Sequence, residues 1–82
     1  MVQEVLALDT GDAIASCCAF DKTGNSVYVG CSDGEVKVVN IEKGEVSSNF
    51  KCHEGGVNDL VVNHDNTSVY TAGADGLLKQ WS

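Results

Sequence analysis

The residues with the richest chemistry lie in the second half of the chain: His53, Thr71, Asp75 and Trp81. Read alone, the imidazole of His53 is a candidate general base. Read together, the four side chains suit a buried hydrogen-bonded network, because a buried carboxylate needs donors and an imidazole, a hydroxyl and an indole N–H can all donate. No nucleophile elbow and no glycine-rich phosphate loop accompanies them. The sequence thus holds no catalytic constellation, and we expect a protein that is not an enzyme.

The cysteines are even in number, which would allow two disulfides in a secreted protein. Cys17 and Cys18 are adjacent, however, and neither Cys31 nor Cys52 completes a C-x-x-C pair. We therefore expect reduced thiols that act as small hydrophobic residues of strands. Cys52 and His53 lack the spacing of a known metal hairpin, so neither a metal site nor another cofactor is expected.

Short apolar runs separated by turns predict the elements that position these residues. The chain has no proline, and its turn signals of Gly, Asn and Asp recur about every 10 residues. This spacing indicates an all-β fold of consecutive antiparallel strands, and no segment has the apolar periodicity of a long helix. Strands are expected at 2–8, 14–20, 26–31, 35–41, 45–51, 57–62, 68–73 and 77–82.

Length and charge limit the fold and its partners. The 82 residues allow one small domain, near the lower size at which a core stabilises a chain alone. With five Lys, no Arg and twelve Asp or Glu, the net charge is −7, which argues against binding to nucleic acid or an anionic membrane. The first residues lack the features of a secretory signal, so we expect a cytoplasmic or nuclear location and no secretion.

The two halves of the chain repeat with an offset of 42 residues and no gap. The residues SVY at 26–28 match SVY at 68–70, and the pair Asp-Gly at 33–34 matches Asp-Gly at 75–76. A period near 42 with four strands per unit is typical of propeller blades. One four-stranded sheet cannot cover both of its faces, so each blade needs a neighbour.

The second unit resembles a WD40 repeat. It contains His53, then the run TAGADG at 71–76, then Trp81. In that family the His, Ser/Thr, Asp and Trp form a hydrogen-bonded network within each blade. The resemblance implies that Asp75 accepts from His53, and that Thr71 and Trp81 complete the network through the imidazole. His53 is then expected to be structural, in preference to a general base.

The resemblance covers the whole chain as two WD40 repeats, 1–42 and 43–82. The first repeat is degenerate, because residues without the required polar groups stand at the family's His, Ser/Thr and Trp positions: Gly11, Val29 and Val39. Asp33 remains, and we expect it to accept backbone N–H groups of its own turn. The first repeat should therefore depend mainly on apolar burial.

The phase of the repeats implies exposed surfaces. In the family each repeat begins with the outermost strand of one blade and continues with three inner strands of the next. By that phase 45–51 completes the first blade, the second blade lacks an outer strand, and 2–8 is an outer strand without a blade. Bare sheet faces and strand edges favour association. Further WD40 blades of a longer protein or identical copies would cover them, and four copies in an eight-bladed ring are favoured over three.

The family's partners usually bind the narrow top face near the central channel. By matched positions the resemblance implies six binding candidates: Ile14, Cys17, Ser32, Gly56, Asp59 and Ala74. Asp59 is a charge within an apolar run. It is either a contact for a Lys or Arg of a partner peptide or a bulge residue bonded to nearby backbone N–H groups.

These observations favour a non-enzymatic scaffold that presents propeller surfaces to partner proteins or peptides. The alternative is a self-assembling unit, natural or engineered, whose copies close a ring by strand exchange and which has no separate binding activity.

Overall fold

The computed structural model describes residues 13–63 and 68–81, which form seven β-strands. The strand expected at 2–8 lies outside the described residues. The observed strands lie within a residue or two of the bounds expected from the turn signals, and the all-β fold is confirmed. They are β1 (Ala15–Phe20), β2 (Ser26–Cys31), β3 (Glu35–Asn40), β4 (Glu45–Lys51), β5 (Val57–Val62), β6 (Val69–Gly73) and β7 (Leu78–Trp81).

The first four strands form one antiparallel sheet in the order β1-β2-β3-β4. Tight turns join them, and the β2–β3 turn requires glycine because Gly34 has a φ of 88°. A side chain on Gly34 would also collide with the carbonyl of His53, while the Gly34 carbonyl accepts the amides of Cys52 and His53. This turn therefore fixes the path of the chain as it leaves β4 for the second sheet.

The last three strands form a second antiparallel sheet in the order β5-β6-β7. Across 13–63 and 68–81, no strand pairs with the outer edge of β7. The boundary between the repeats 1–42 and 43–82 falls in the β3–β4 turn, inside the first sheet, because β4 pairs with β3. The division of the chain into these two repeats stays a prediction.

A bulge interrupts β1 and β5 at equivalent positions. The register of β1 shifts between Ala15 and Cys17, and that of β5 shifts between Val57 and Asp59. A bulge bends its strand and turns a side chain away from the regular alternation. In β1 the unpaired residue is Ser16, whose hydroxyl reaches the Val57 carbonyl of the neighbouring sheet. The two sheets are thus linked at their adjacent strands.

The hydrophobic core lies between the two sheets. Its fully buried members are Val36, Cys52, Val57 and Leu60, and partly buried apolar residues of both sheets pack around them. Complete burial of a Val or Leu side chain contributes about 1.5–3 kcal/mol. Each sheet uses one face for this core, which leaves the other face of each without a neighbour among the described residues.

Candidate protein-binding surface

His53 lies at the centre of a hydrogen-bonded network that joins three segments of the second sheet. Its side chain is fully buried, with Nδ1 3.0 Å from Asp75 Oδ1 and Nε2 2.8 Å from Thr71 Oγ1. The indole Nε1 of Trp81 donates to the same Thr71 oxygen at 2.9 Å. Because the carboxylate only accepts, we assign the ring proton to Nδ1, and Nε2 accepts from the Thr71 hydroxyl. Every polar atom of these side chains then has a partner.

Asp75 connects this network to the backbone. Its carboxylate accepts the amide of Glu54 at 3.2 Å and that of Leu77 at 3.1 Å. Burial acts to raise the pKa of Asp75, but the hydrogen bonds from Leu77, Glu54 and His53 outweigh it and hold that pKa below its ordinary value. One ionised side chain therefore ties the β4–β5 connection to the β6–β7 turn.

Gly73 is a functional position that the sequence reasoning missed. A Cβ atom on Gly73 would collide with the ring of His53. The imidazole can lie on the backbone of β6 only because this residue has no side chain. The available signal was a glycine inside a strand, which often marks close approach of another group.

The first sheet holds a reduced version of this arrangement. Asp33 Oδ1 accepts the amide of Glu35 at 3.0 Å, as Asp75 accepts that of Leu77. Val29 and Val39 occupy the strand positions of Thr71 and Trp81 in the repeat, and Gly11 lies outside the described residues. Val39 is 3% exposed, so the first sheet has apolar burial where the second has hydrogen bonds.

Four of the six binding candidates form a continuous row at one end of the two sheets. Ser32 donates its amide to the Ile14 carbonyl at 2.8 Å, and the Ile14 amide donates to Ser32 Oγ at 2.9 Å. In the second sheet the Ala74 amide donates to the Gly56 carbonyl at 2.9 Å. Gly56 lies beside Ser32, since a Cβ atom on Gly56 would be 3.5 Å from the Ser32 Cα. The row Ile14–Ser32–Gly56–Ala74 is called the end surface below.

The other two candidates lie at the bulges. Cys17 is half-buried and packs against the core, its thiol 3.9 Å from the Val57 carbonyl oxygen. Burial raises the pKa of Cys17. The structure therefore places Cys17 between the sheets and away from the end surface, because it pairs with Gly30 on the face that the second sheet covers. Asp59 is exposed, and its Oδ1 accepts the amide of Leu60 at 2.9 Å. This bond is of the kind expected for a bulge residue, and the exposed carboxylate is also accessible to a partner.

The end surface combines a firm backbone with one large apolar side chain. The Asp75 network holds Gly56 and Ala74 through the segments that carry them, and hydrogen bonds between Ile14 and Ser32 hold the other half. Ile14 is 72% exposed, although a branched apolar side chain is normally buried. Such an edge can contact an extended peptide without first becoming ordered.

The cysteines all lie within residues 13–63 and 68–81, the part of the chain that the structure describes. All four cysteines are free, with Cys31 and Cys52 buried, Cys17 half-buried and Cys18 exposed. In that part of the chain, no cluster of three His, Cys, Asp or Glu side chains could hold a metal ion. The same residues include no helix long and apolar enough to cross a membrane.

Comparison with known proteins connects this geometry to a family. The profile of the Anaphase-promoting complex subunit 4 WD40 domain matches residues 1–70. WD repeat-containing protein 91 of Danio rerio is 30% identical over 76 residues, which are 93% of this chain and 10% of that protein. DDB1- and CUL4-associated factor 13 of Xenopus tropicalis is 38% identical over 71 residues, which are 87% of this chain and 16% of that protein. The chain thus spans a small part of the length of both relatives.

A solved structure supports the same fold. The Cps50 (Swd1) beta-propeller domain of Myceliophteria thermophila superposes with a TM-score of 0.79 at 12% sequence identity. The match covers 83% of this chain and 22% of that one, so the two sheets correspond to a sector of a propeller. The matched profile, the WD-repeat relatives and the shared architecture together show that the chain belongs to the WD40-repeat β-propeller family.

Proposed function

We propose that this chain is a non-enzymatic protein-interaction module whose end surface and Asp59 bind a peptide segment of a partner protein. The observation that carries the proposal is the fixed row of Ile14, Ser32, Gly56 and Ala74. Hydrogen bonds hold its backbone at both ends, yet the Ile14 side chain remains 72% exposed. In a longer protein, further WD40 blades would extend this surface around a ring.

The charge around the end surface favours a cationic partner. Three exposed carboxylates lie close to it in the chain or the sheet: Asp33 follows Ser32, Glu54 is two residues before Gly56, and Asp59 pairs with Ala72. The whole chain has a net charge of −7. Long-range attraction would bring a segment rich in Lys or Arg to this surface. We therefore propose a partner segment that carries a basic residue for Asp59 next to an apolar residue for Ile14.

The relatives support a role in protein association. DDB1- and CUL4-associated factor 13 is named for its association with other proteins, and WD repeat-containing protein 91 is named for its repeats alone. Neither name identifies a partner of this chain. We propose that Asp59 and Ile14 determine which peptide segments the chain binds.

A peptide selection tests the proposal. Random peptides displayed on phage are selected on the immobilised wild-type chain, and the recovered peptides are labelled for fluorescence anisotropy. We expect enrichment of Lys or Arg beside an apolar residue. Asp59→Asn and Ile14→Ser should each raise the dissociation constant of the recovered peptides about tenfold, equivalent to about 1.4 kcal/mol.

The matched control is Glu42→Gln, which also removes one negative charge. Glu42 is exposed in the β3–β4 turn, at the other end of the first sheet. Its loss should leave the dissociation constant unchanged. Equal weakening by Asp59→Asn and Glu42→Gln would show that net charge alone attracts the peptides, and it would contradict the proposed site.

A further inference from the structure

Within the described ranges 13–63 and 68–81, one blade packs against the next. The second sheet packs through β5 against β1 and β2 of the first sheet. On the first sheet this covered face presents Ala19 paired with Tyr28, and Gly30 paired with Val36. Val36 is fully buried, and Gly30 is needed because a Cβ atom there would lie 2.8 Å from Val57 Cγ1. This covered face is called the forward face of a blade.

The second sheet has the same forward face, but nothing among the described residues covers it. A shift of 42 residues places Val61, Tyr70, Ala72 and Leu78 at the four corresponding positions. They keep the same pairing, because Val61 pairs with Tyr70 and Ala72 pairs with Leu78. Val61 is 57% exposed and Leu78 is 75% exposed, whereas Val36 at the Leu78 position is fully buried.

The surface that would fit this face is also present on the chain. In the existing contact, the second sheet covers the first with Val57 and Leu60 of β5. The corresponding residues of β1 are Ala15 and Cys18, with Phe20 at the position of Val62. All three are exposed, Phe20 by 62%. This is called the backward face of the first blade. One chain therefore exposes both halves of a contact that it already makes once internally.

A polar match accompanies the apolar one. In the existing contact, the hydroxyl of Ser16 donates to the Val57 carbonyl across the two bulges. The repeat places Asn58 at the Ser16 position and Ala15 at the Val57 position. Asn58 is exposed, and its side-chain amide carries the donor that this position requires.

We propose that a second copy of this chain docks head to tail, with the backward face of its first blade on the forward face of the second blade. Leu78 and Val61 of one copy then contact Phe20 and Cys18 of the other, and Asn58 donates to the Ala15 carbonyl. The contact is heterologous, so repetition closes a ring or extends a filament. Asp59 pairs with Ala72 on the forward face and corresponds to Cys17 of the existing contact, so docking would cover Asp59 and compete with the peptide-binding role proposed above. The row Ile14–Ser32–Gly56–Ala74 is not part of the contact.

Two single-face variants test this proposal on the full chain. Leu78→Asp blocks only the forward face, and Phe20→Asp blocks only the backward face. Mass is measured by size-exclusion chromatography with light scattering over a concentration series. We expect the wild type to form a species larger than one 8.6 kDa chain, such as a ring of four copies at about 34 kDa or three at about 26 kDa. Each variant alone should be monomeric.

The mixture of the two variants gives the sharpest result. Each variant retains the face that the other lacks, so an equimolar mixture should form a capped dimer of about 17 kDa, twice the 8.6 kDa chain. Lys43→Asp is the matched control, since Lys43 is exposed in the β3–β4 turn, outside the strands that form both faces. Its mass should equal that of the wild type.

Two results would overturn the proposal. One is a wild type that stays monomeric over the whole concentration series. The other is a Phe20→Asp variant that still self-associates while the mixture forms no dimer, because this pattern belongs to a symmetric contact of two forward faces. Far-ultraviolet circular dichroism checks that each variant is folded. Should Leu78→Asp unfold, Val61→Lys replaces it on the same face.

Discussion

The imidazole of His53 lies on the backbone of Gly73, in the space that a Cβ atom would occupy. The ring has no room to move away, because it is fully buried and its two nitrogens contact Asp75 and Thr71 on opposite sides. The absence of one side chain in β6 therefore positions the network that ties the β4–β5 connection to the β6–β7 turn.

Gly73→Ala should lower the free energy of unfolding by about 1–3 kcal/mol, since an added methyl group in a packed site displaces its neighbours. Gly73 does not have a positive φ, so the loss comes from collision with the ring and not from backbone strain. Gly56→Ala is the control, because its added Cβ would meet Ser32 at an ordinary 3.5 Å. Urea unfolding followed by Trp81 fluorescence measures both. Equal stability of the two variants would contradict the proposed packing.

Thr71→Val tests whether the network stabilises the fold through hydrogen bonds. The change keeps the shape of the side chain, but it leaves His53 Nε2 and Trp81 Nε1 without their partner. We expect a loss of about 1–3 kcal/mol in unfolding free energy for each group left unpaired. Thr71→Ser retains the hydroxyl and should lose only about 1 kcal/mol for the missing methyl group. A valine variant as stable as the serine variant would show that the hydroxyl is unimportant.

Trp81→Ala should destabilise the chain more than Val39→Ala, although the two positions are equivalent in the repeat. Trp81 contributes its bond to Thr71 and a ring contact with Phe50 at 5.2 Å, so its loss should cost about 3–5 kcal/mol. Loss of the buried Val39 side chain should cost about 2 kcal/mol, from roughly 0.8 kcal/mol per carbon group and a small cavity. Equal midpoints in guanidinium melts would refute this ranking.

The strands could be predicted from the sequence because their limits are encoded locally. Turns that contain Asp-Gly or Asn restrict the conformation of the backbone. The observed β2, β4 and β5 begin and end at the residues that the turn signals predict. The members of the second-repeat network were predicted from the resemblance to a WD40 repeat, and their chemistry suits that role, because a buried carboxylate needs hydrogen-bond donors.

The side-chain directions near the bulges could not be predicted. A bulge depends on the pairing of two strands, and neither strand alone reveals where the register shifts. Cys17 was named a binding candidate from matched positions in the family, and the register shift beside it could not be seen from the sequence; its thiol lies 3.9 Å from the Val57 carbonyl oxygen, and its role in binding stays a prediction. The role of Gly73 was missed for a similar reason, because it depends on His53, which is 20 positions earlier.

Acid should destabilise the fold through Asp75. Its folded-state pKa lies below the ordinary value of 3.8, because hydrogen bonds from Leu77, Glu54 and His53 outweigh the opposing effect of burial. The unfolded state then binds more protons, so the stabilisation present above pH 3.8 is lost as pH falls through the folded-state pKa. In Asp75→Asn, unfolding free energy measured by urea melts should fall less steeply over this acid range.

A second carboxylate provides the comparison for that measurement. Asp21 also has a lowered pKa, since its bonds with Ser26, Thr23, Gly24 and Asn25 outweigh the effect of burial. Asp21→Asn should therefore remove a separate part of the acid dependence. Asp21 lies at the other end of the first sheet from the Asp75 network, so the effects should add in the double variant. An unchanged acid slope in Asp75→Asn would contradict the role of its hydrogen bonds.

The four cysteines should react with an aromatic disulfide reagent at clearly different rates. Cys18 is exposed and should react first. Burial raises the pKa of Cys31 and of Cys52, which lowers their thiolate fraction, and both are almost inaccessible, so they should react only as fast as the chain unfolds. Half-buried Cys17 should be intermediate. Cys18→Ser should abolish the fast phase and leave the others unchanged, whereas uniform reaction of all four thiols would contradict the burial pattern. If copies dock head to tail, the fast phase should also slow as protein concentration rises, because Cys18 lies on the backward face.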